Sequence, residues 1–211
     1  RLSGSERTPG GFDVDFAIDF LEKAQEYIDL VEITAEHLWN FISTTYRPLG
    51  LNADLSEAIK KSGRVNIPVI VVGAILSPDY AEEIISNGWA DIVNMCRPLM
   101  ADPDMPKKAA ANKREDIRPC LRCNACATRL GMPRVINCAI NPISGMTTYL
   151  RDGEVPAAKV KKKVAVVGAG PAGLQAMFTL IERGHDVTVY EKSGDIGGCV
   201  NAAAAPPAAS P

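Results

Sequence analysis

The chain has 211 residues, 46% of them hydrophobic and 23% charged, with a formal net charge of −2 at pH 7. That length suits one large domain or two small ones, and the balanced charge argues against a nucleic-acid partner, which selects for a basic excess. The longest apolar strings, residues 67–72 and 164–168, are too short to cross a bilayer, and "RLSGSERTPGG" lacks the layout of a signal peptide, so the expectation is a cytoplasmic protein with no membrane partner.

Residues 1–110 alternate strand-like and helix-like segments. "RLS" opens. "DVDFAIDFLEKAQEY" reads as a helix with Phe16, Phe20, Leu21 and Ala24 on one face. "IDLVEIT", residues 28–34, is a short β-branched run, and "ADLSEAIKKSG" is a second amphipathic helix with Leu55, Ala58 and Ile59 inward and Gly63 as its stop. "IPVIVVGA", residues 67–74, is continuously apolar, as expected of a buried parallel strand. "SPDYAEEIISNG" places Ser77 as N-cap, Pro78 at the first helical position and Gly88 past the end. "ADIVNMC", residues 90–96, is a further strand, followed by "RPLMADPD". This rhythm predicts a parallel α/β sheet, open or closed into a barrel.

The rhythm lapses over residues 111–146, which carry the cysteine cluster, and residues 147–162 read as an exposed linker. A second α/β pattern occupies residues 163–211: strand "KVAVVGAG", helix "PAGLQAMFTLIERG" ended by Gly184, strand "HDVTVYEK". There is no initiator Met and the tail "NAAAAPPAASP" is of low complexity, so the sequence reads as a segment cut at both ends.

Four of the six cysteines, Cys120, Cys123, Cys126 and Cys138, follow x2, x2, x11 spacing. Cytosolic disulfides are rare, and clustered thiolates there are more often metal ligands or redox groups. Structural zinc sites more often come as two separated C-x-x-C pairs. Three cysteines in a row favour a four-iron cluster, with zinc and then disulfides as the alternatives. Cys96 and Cys199 stand outside this set and receive no role.

"VVGAGPAG" sets Gly168, Gly170 and Gly173 in G-x-G-x-x-G between a strand and a helix, the context that makes the motif a dinucleotide turn. Gly168 makes the turn, Gly170 admits a pyrophosphate and Gly173 lets helix and strand pack. Glu191 ends the next strand, where a carboxylate can accept from ribose hydroxyls, and Gly197–Gly198 follows. The motif alone does not separate FAD from NAD. Gly73 ends a buried strand and Arg97 follows the next, where a barrel commonly binds a phosphate; from the residues alone, a surface arginine is the stronger reading of Arg97. His37 and His185 read as surface or satisfied histidines, His185 in a tight helix-to-strand turn.

Together, "RLSGSE", "PVIVVGAI", "ADIVNMCRPLMADPD", "DIRPCLRCNAC", "CAINP" and "VAVVGAGPAGLQA" with "GHDVTVYEKSGDIGGCVNAAAAPP" closely resemble iron–sulfur flavoenzymes related to Old Yellow Enzyme. These form the NADH:flavin oxidoreductase / 2,4-dienoyl-CoA reductase / trimethylamine dehydrogenase family. The resemblance implies the C-terminal half of an FMN-binding (β/α)8 TIM barrel over residues 1–110, an iron–sulfur segment over 111–146, a linker over 147–162 and the start of a Rossmann-like FAD/NAD(P)-binding domain from 163. It implies Arg1, Gly73 and Arg97 at FMN, a 4Fe-4S cluster on Cys120, Cys123, Cys126 and Cys138, and Gly168, Gly170, Gly173, Glu191 and Gly198 at FAD, or at ADP as in trimethylamine dehydrogenase.

The activity so implied is NAD(P)H-dependent reduction of an activated C=C bond in an unsaturated acyl-CoA, enoate or similar small molecule, electrons passing FAD to cluster to FMN. The catalytic residues would lie upstream, leaving the isolated chain with little or no reductase activity. An amine dehydrogenase of the trimethylamine dehydrogenase type, or a non-catalytic metal-binding or electron-transfer module, is the alternative. Cys96 stands where the family usually has glycine, facing the phosphate's approach, and Gly73–Ala74 replaces its usual glycine pair.

Overall fold

The computed structural model describes residues 1–35, 47–127, 135–146 and 155–204. His37, residues 128–134 of the cysteine segment, residues 147–154 of the expected linker and residues 205–211 lie outside them. Two compact units form, Arg1–Gly145 and Met146–Pro211.

In the first unit four strands, β1 (Leu2–Ser3), β2 (Val31–Thr34), β3 (Val69–Val72) and β4 (Ile92–Asn94), lie in sequence order. All pair in parallel, with Leu2 opposite Ile33, Val31 opposite Val69 and Val71 opposite Val93. The returning helices are α1 (Val14–Ala24), α2 (Ala53–Lys61) and α3 (Pro78–Ser86). Alternation of side chains along each strand turns Val31, Ile33 and Val69 onto Ile18 and Leu21 of α1 and Leu55 and Ile59 of α2. Val71 joins a second cluster with Ile75 and with Ile84 of α3. Leu21, Ile33 and Ile59 are each 0% exposed, a burial that stabilises by about 1.5–3 kcal/mol per side chain. On the opposite face Glu32, Thr34, Ile70 and Val72 are half-buried and Ile92 is exposed. The helices therefore cover one face of a singly wound sheet.

The helix ends follow from local chemistry. Asp13 accepts from Phe16 N–H and Ser77 from Tyr80 N–H, satisfying orphan donors at the starts of α1 and α3. The buried stripe of α1 differs from the sequence reading: Ala17, Ile18 and Leu21 are buried, whereas Phe16 and Phe20 are 57% and 49% exposed. The stripe through 14, 17, 18 and 21 keeps the helical period, and Phe16 meets Phe12 instead, ring centroids 5.3 Å apart. On α2 Leu55 and Ile59 are buried and Ala58 is half-buried, with Ala53 and Ser56 completing the inward face.

Beyond β4 come α4 (Arg97–Ala101), α5 (Met105–Ala110) and a 3-10 turn (Arg114–Asp116). Asp102, 3% exposed, accepts from Lys108 Nζ at 2.6 Å, Arg118 N–H at 2.9 Å and Asp104 N–H at 3.1 Å. Buried Asn141 donates to the Met100 carbonyl at 2.9 Å. The cysteine segment is thus fastened to α4 on both sides, before Cys120 and after Cys138.

In the second unit β5 (Lys163–Val167) and β6 (Asp186–Tyr190) pair in parallel, joined by α6 (Pro171–Glu182) and followed by α7 (Cys199–Ala203). His185 Nδ1 accepts from Lys162 N–H at 3.2 Å, a structural task in the turn after Gly184. Val167, Phe178, Ile181 and Tyr190 are exposed. Among the described residues no helix is long and apolar enough to cross a membrane.

Candidate functional site

The glycine-rich turn joins β5 to α6. Gly168 stands at φ +101° and its N–H donates to the Tyr190 carbonyl at 2.7 Å, so the turn is locked to the end of β6. At Gly170 a side chain would meet nothing within 4 Å, which leaves the backbone open to a ligand at the start of α6. At Gly173 a Cβ would lie 1.9 Å from the Gly168 carbonyl oxygen; only glycine lets α6 come this close. The Gly197 N–H donates to Ala169 O at 2.8 Å, and a Cβ on Gly198, itself at φ +56°, would sit 3.2 Å from Gly170 Cα. The second glycine pair is therefore packed against the first turn.

Glu191 holds that turn directly. Its Oε2 accepts from Ala169 N–H at 2.7 Å and its Oε1 from Ser193 N–H at 2.9 Å and Ser193 Oγ–H at 3.0 Å. The Ser193 and Ala169 amides and then the Ser193 hydroxyl draw its carboxyl down to about 2. Sequence reasoning gave this carboxylate to ribose hydroxyls alone. Here it first serves the backbone, and Oε2 keeps a second lone pair for a ligand.

At the C-terminal ends of β3 and β4 a pocket of about 180 Å³ is lined by Gly73, Ala74, Asn94, Cys96 and Arg97, among others. Gly73 stands at φ +137°, and a Cβ there would approach Asn52 Nδ2 to 2.8 Å. Cys96 caps α4 at φ −103°, ψ −69°, a conformation open to any L residue, so it stands there without backbone strain. Ala74, by contrast, adopts φ +50°, the left-handed region where glycine is at ease. Arg97 lines the pocket and donates through Nη1 to Asn124 Oδ1 at 2.6 Å.

Arg1 pairs through Nε with Glu32 Oε1 at 2.8 Å, and Asn94 Nδ2 donates to Glu32 Oε2. Sequence reasoning missed Glu32, Asn94 and Asn124. For Asn94 the available signal was a polar residue on the Ile92 face of β4; Glu32 shares its face of β2 with Thr34, and Asn124 lies on no strand.

All six cysteines are free thiols. Cys120, Cys126 and Cys138 are half-buried and Cys123 is exposed. Arg122 and Asn124 both adopt φ +56°, which curls the chain between the thiols and directs Arg122 N–H toward Cys120 Sγ at 3.5 Å. Arg122 also donates to the Arg47 carbonyl. Burial pushes the Cys126 thiol up, against the pull of the Ala127 N–H and the Arg97 guanidinium. The chemistry of this donor set, four soft thiols on a loop with an amide turned to sulfur and an arginine nearby, fits a thiolate-held metal centre. Among the described residues no three His, Cys, Asp or Glu groups converge in metal-ligand geometry.

Residues 14–116 match the NADH:flavin oxidoreductase / NADH oxidase family, and residues 166–207 match the NAD(P)-binding Rossmann-like domain. The chain is 38% identical to the NADH oxidase of Thermoanaerobacter brockii over 98% of its own length and 32% of that protein's. It superposes on the 2-naphthoyl-CoA reductase–2-naphthoyl-CoA complex with a TM-score of 0.82 at 34% identity, covering 95% of this chain and 31% of that one. Histamine dehydrogenase from Rhizobium sp. 4-9 gives 0.81 at 30% identity, covering 95% and 30%. The chain thus spans about a third of the length of the proteins it matches.

Proposed function

Since the chain belongs to the NADH:flavin oxidoreductase / NADH oxidase family, we propose that it forms the cofactor-bearing middle of an NAD(P)H-dependent flavin oxidoreductase acting on an activated C=C bond. The observation that carries this reading is the order, within one chain, of a glycine–arginine pocket at the strand ends, four free thiols and a glycine-rich strand–turn–helix. FMN, a 4Fe-4S cluster and FAD, when bound, supply hydride and single-electron transfer between NAD(P)H and the substrate.

The chain's own residues have separate tasks in this reading. Gly73 opens the backbone beside the pocket and Arg97 offers a guanidinium to the FMN phosphate. Arg1 presents a cation beside Glu32 on the sheet face away from the helices, where charge would develop on a reduced flavin. Cys120, Cys123, Cys126 and Cys138 would ligate the cluster. Gly170 admits the dinucleotide pyrophosphate, Gly168, Gly173 and Gly198 shape the turn around it, and Glu191 fixes that turn while turning one lone pair outward.

Likeness to histamine dehydrogenase supports the second reading, amine oxidation, on the same scaffold. The deciding measurement is an anaerobic visible spectrum of the full-length protein with iron, zinc, sulfide and flavin analysis, followed by turnover with an enoyl-CoA and with a methylated amine. Iron, sulfide and two flavins with alkene reduction are the expected result. Amine turnover without alkene reduction selects the second reading; zinc with no chromophore overturns both.

A further inference from the structure

Arg97 and Asn124 lie 27 residues apart in sequence and are joined by a 2.6 Å hydrogen bond. Arg97 lines the pocket at the ends of β3 and β4. Asn124 sits directly after Cys123 and two residues before Cys126. Its φ of +56° is one that asparagine tolerates better than most residues with a side chain, and its carbonyl accepts from Ala127 N–H at 2.9 Å. The other arginine anchor of this loop, Arg122 on the Arg47 carbonyl, reaches a residue outside that pocket's lining.

We propose that Asn124 is a positioning residue that couples anion binding in the strand-end pocket to metal binding on the cysteine loop. A guanidinium is a planar fork of five donors, so one edge can serve an oxyanion while another nitrogen holds Asn124. An anion that pins Arg97 also pins Asn124 and, through it, the backbone between Cys123 and Cys126. A metal that fixes this loop in turn presents Arg97 to the anion already oriented. The coupling is reciprocal because it is a linkage between two binding equilibria. A merely structural contact would steady the loop without distinguishing a phosphate-bearing ligand from one that lacks phosphate.

The inference rests on the reading of the pocket as the FMN phosphate site and of the loop as the metal site. Its test compares FMN with riboflavin, which lacks the phosphate, on iron-loaded and chelator-stripped full-length protein by flavin fluorescence quenching. FMN is expected to bind at least about 5-fold more tightly to the loaded form, with riboflavin indifferent to loading. Asn124→Gly keeps the backbone conformation and removes the acceptor, and is expected to bring the FMN ratio to unity. Asn124→Asp keeps an acceptor and is expected to preserve it. A ratio unchanged in Asn124→Gly, an equal ratio for riboflavin, or no difference in the natural protein each overturns the coupling while leaving the cofactor reading intact. Protein that takes up iron but no flavin, or neither, overturns the reading and the coupling with it.

Discussion

The Ala169 amide donates to Glu191 Oε2 at 2.7 Å, which ties the middle of the glycine-rich turn to the end of the neighbouring strand. Ser193 completes the cradle from the other side. Because these donors favour the ionised form, the folded carboxyl sits at about 2 rather than 4.5. The stabilisation is fully present above the unfolded value near 4.5 and is lost as pH falls toward 2. Glu191→Gln is therefore expected to lower the melting temperature at pH 7, with the gap to the natural chain closing between pH 4.5 and 2. Circular-dichroism melts across that range check it; a gap independent of pH would show that the charge is not what holds the turn.

Gly173 and Gly170 should respond to alanine in opposite ways. A methyl at Gly173 would lie 1.9 Å from the Gly168 carbonyl oxygen, forcing the backbone apart. Gly173→Ala is expected to cost about 2–3 kcal/mol in chemical denaturation. Gly170 has ordinary backbone angles and open space. Gly170→Ala should leave stability within about 0.5 kcal/mol and weaken ADP binding by about 10-fold or more, read by calorimetric titration. Equal destabilisation by both substitutions would mean that the turn is not built around a ligand.

The contrast between these two glycines also explains what was legible in the sequence. Gly168, Gly170 and Gly173 answer to backbone constraints within six residues, and the Ser77–Pro78 start of α3 is equally local, so spacing alone locates them. Phe16 and Phe20 misled because aromatic bulk suggests burial, while the true stripe runs through smaller Ala17 and Ile18. Glu32 and Asn124 stayed hidden for a different reason. Their partners, Arg1 and Arg97, meet them only after the strands have paired and the cysteine segment has folded back. The cysteine spacing announced a donor set, but closing thiolates on one centre would take a metal as well as the chain.

Asp102 is the knot between α4, α5 and the approach to the cysteines. Burial pushes its carboxyl up, but the Lys108 ammonium and the Arg118 and Asp104 amides outweigh it and hold the group below 3.8. Asp102→Ala removes the acceptor of both amides and the counter-charge of a half-buried ammonium, which keeps the Asp116 carbonyl at 2.9 Å. A loss of about 2–4 kcal/mol in urea denaturation is expected at pH 7. The difference should shrink as pH falls below 3.8 and through the lowered folded value, since the unfolded chain takes up the proton before the folded one. A loss under about 0.5 kcal/mol would mean that the segment is held to α4 chiefly by Asn141.

The Arg1–Glu32 pair tests the flavin end of the proposal. Glu32 accepts from Arg1 Nε at 2.8 Å and from Asn94, so in the proposed reading a carboxylate would offset part of the cation offered to a reduced flavin. Glu32→Gln keeps the shape and removes the negative charge. A single such ion pair is worth about 1 kcal/mol or less. At about 30 mV per 1.4 kcal/mol for a two-electron couple, the FMN midpoint potential should rise by about 10–20 mV in the full-length protein. Spectroelectrochemical titration reads this directly, with the FAD potential as the internal control. A shift of FAD alone, or of neither flavin, would remove Arg1 from the flavin's surroundings.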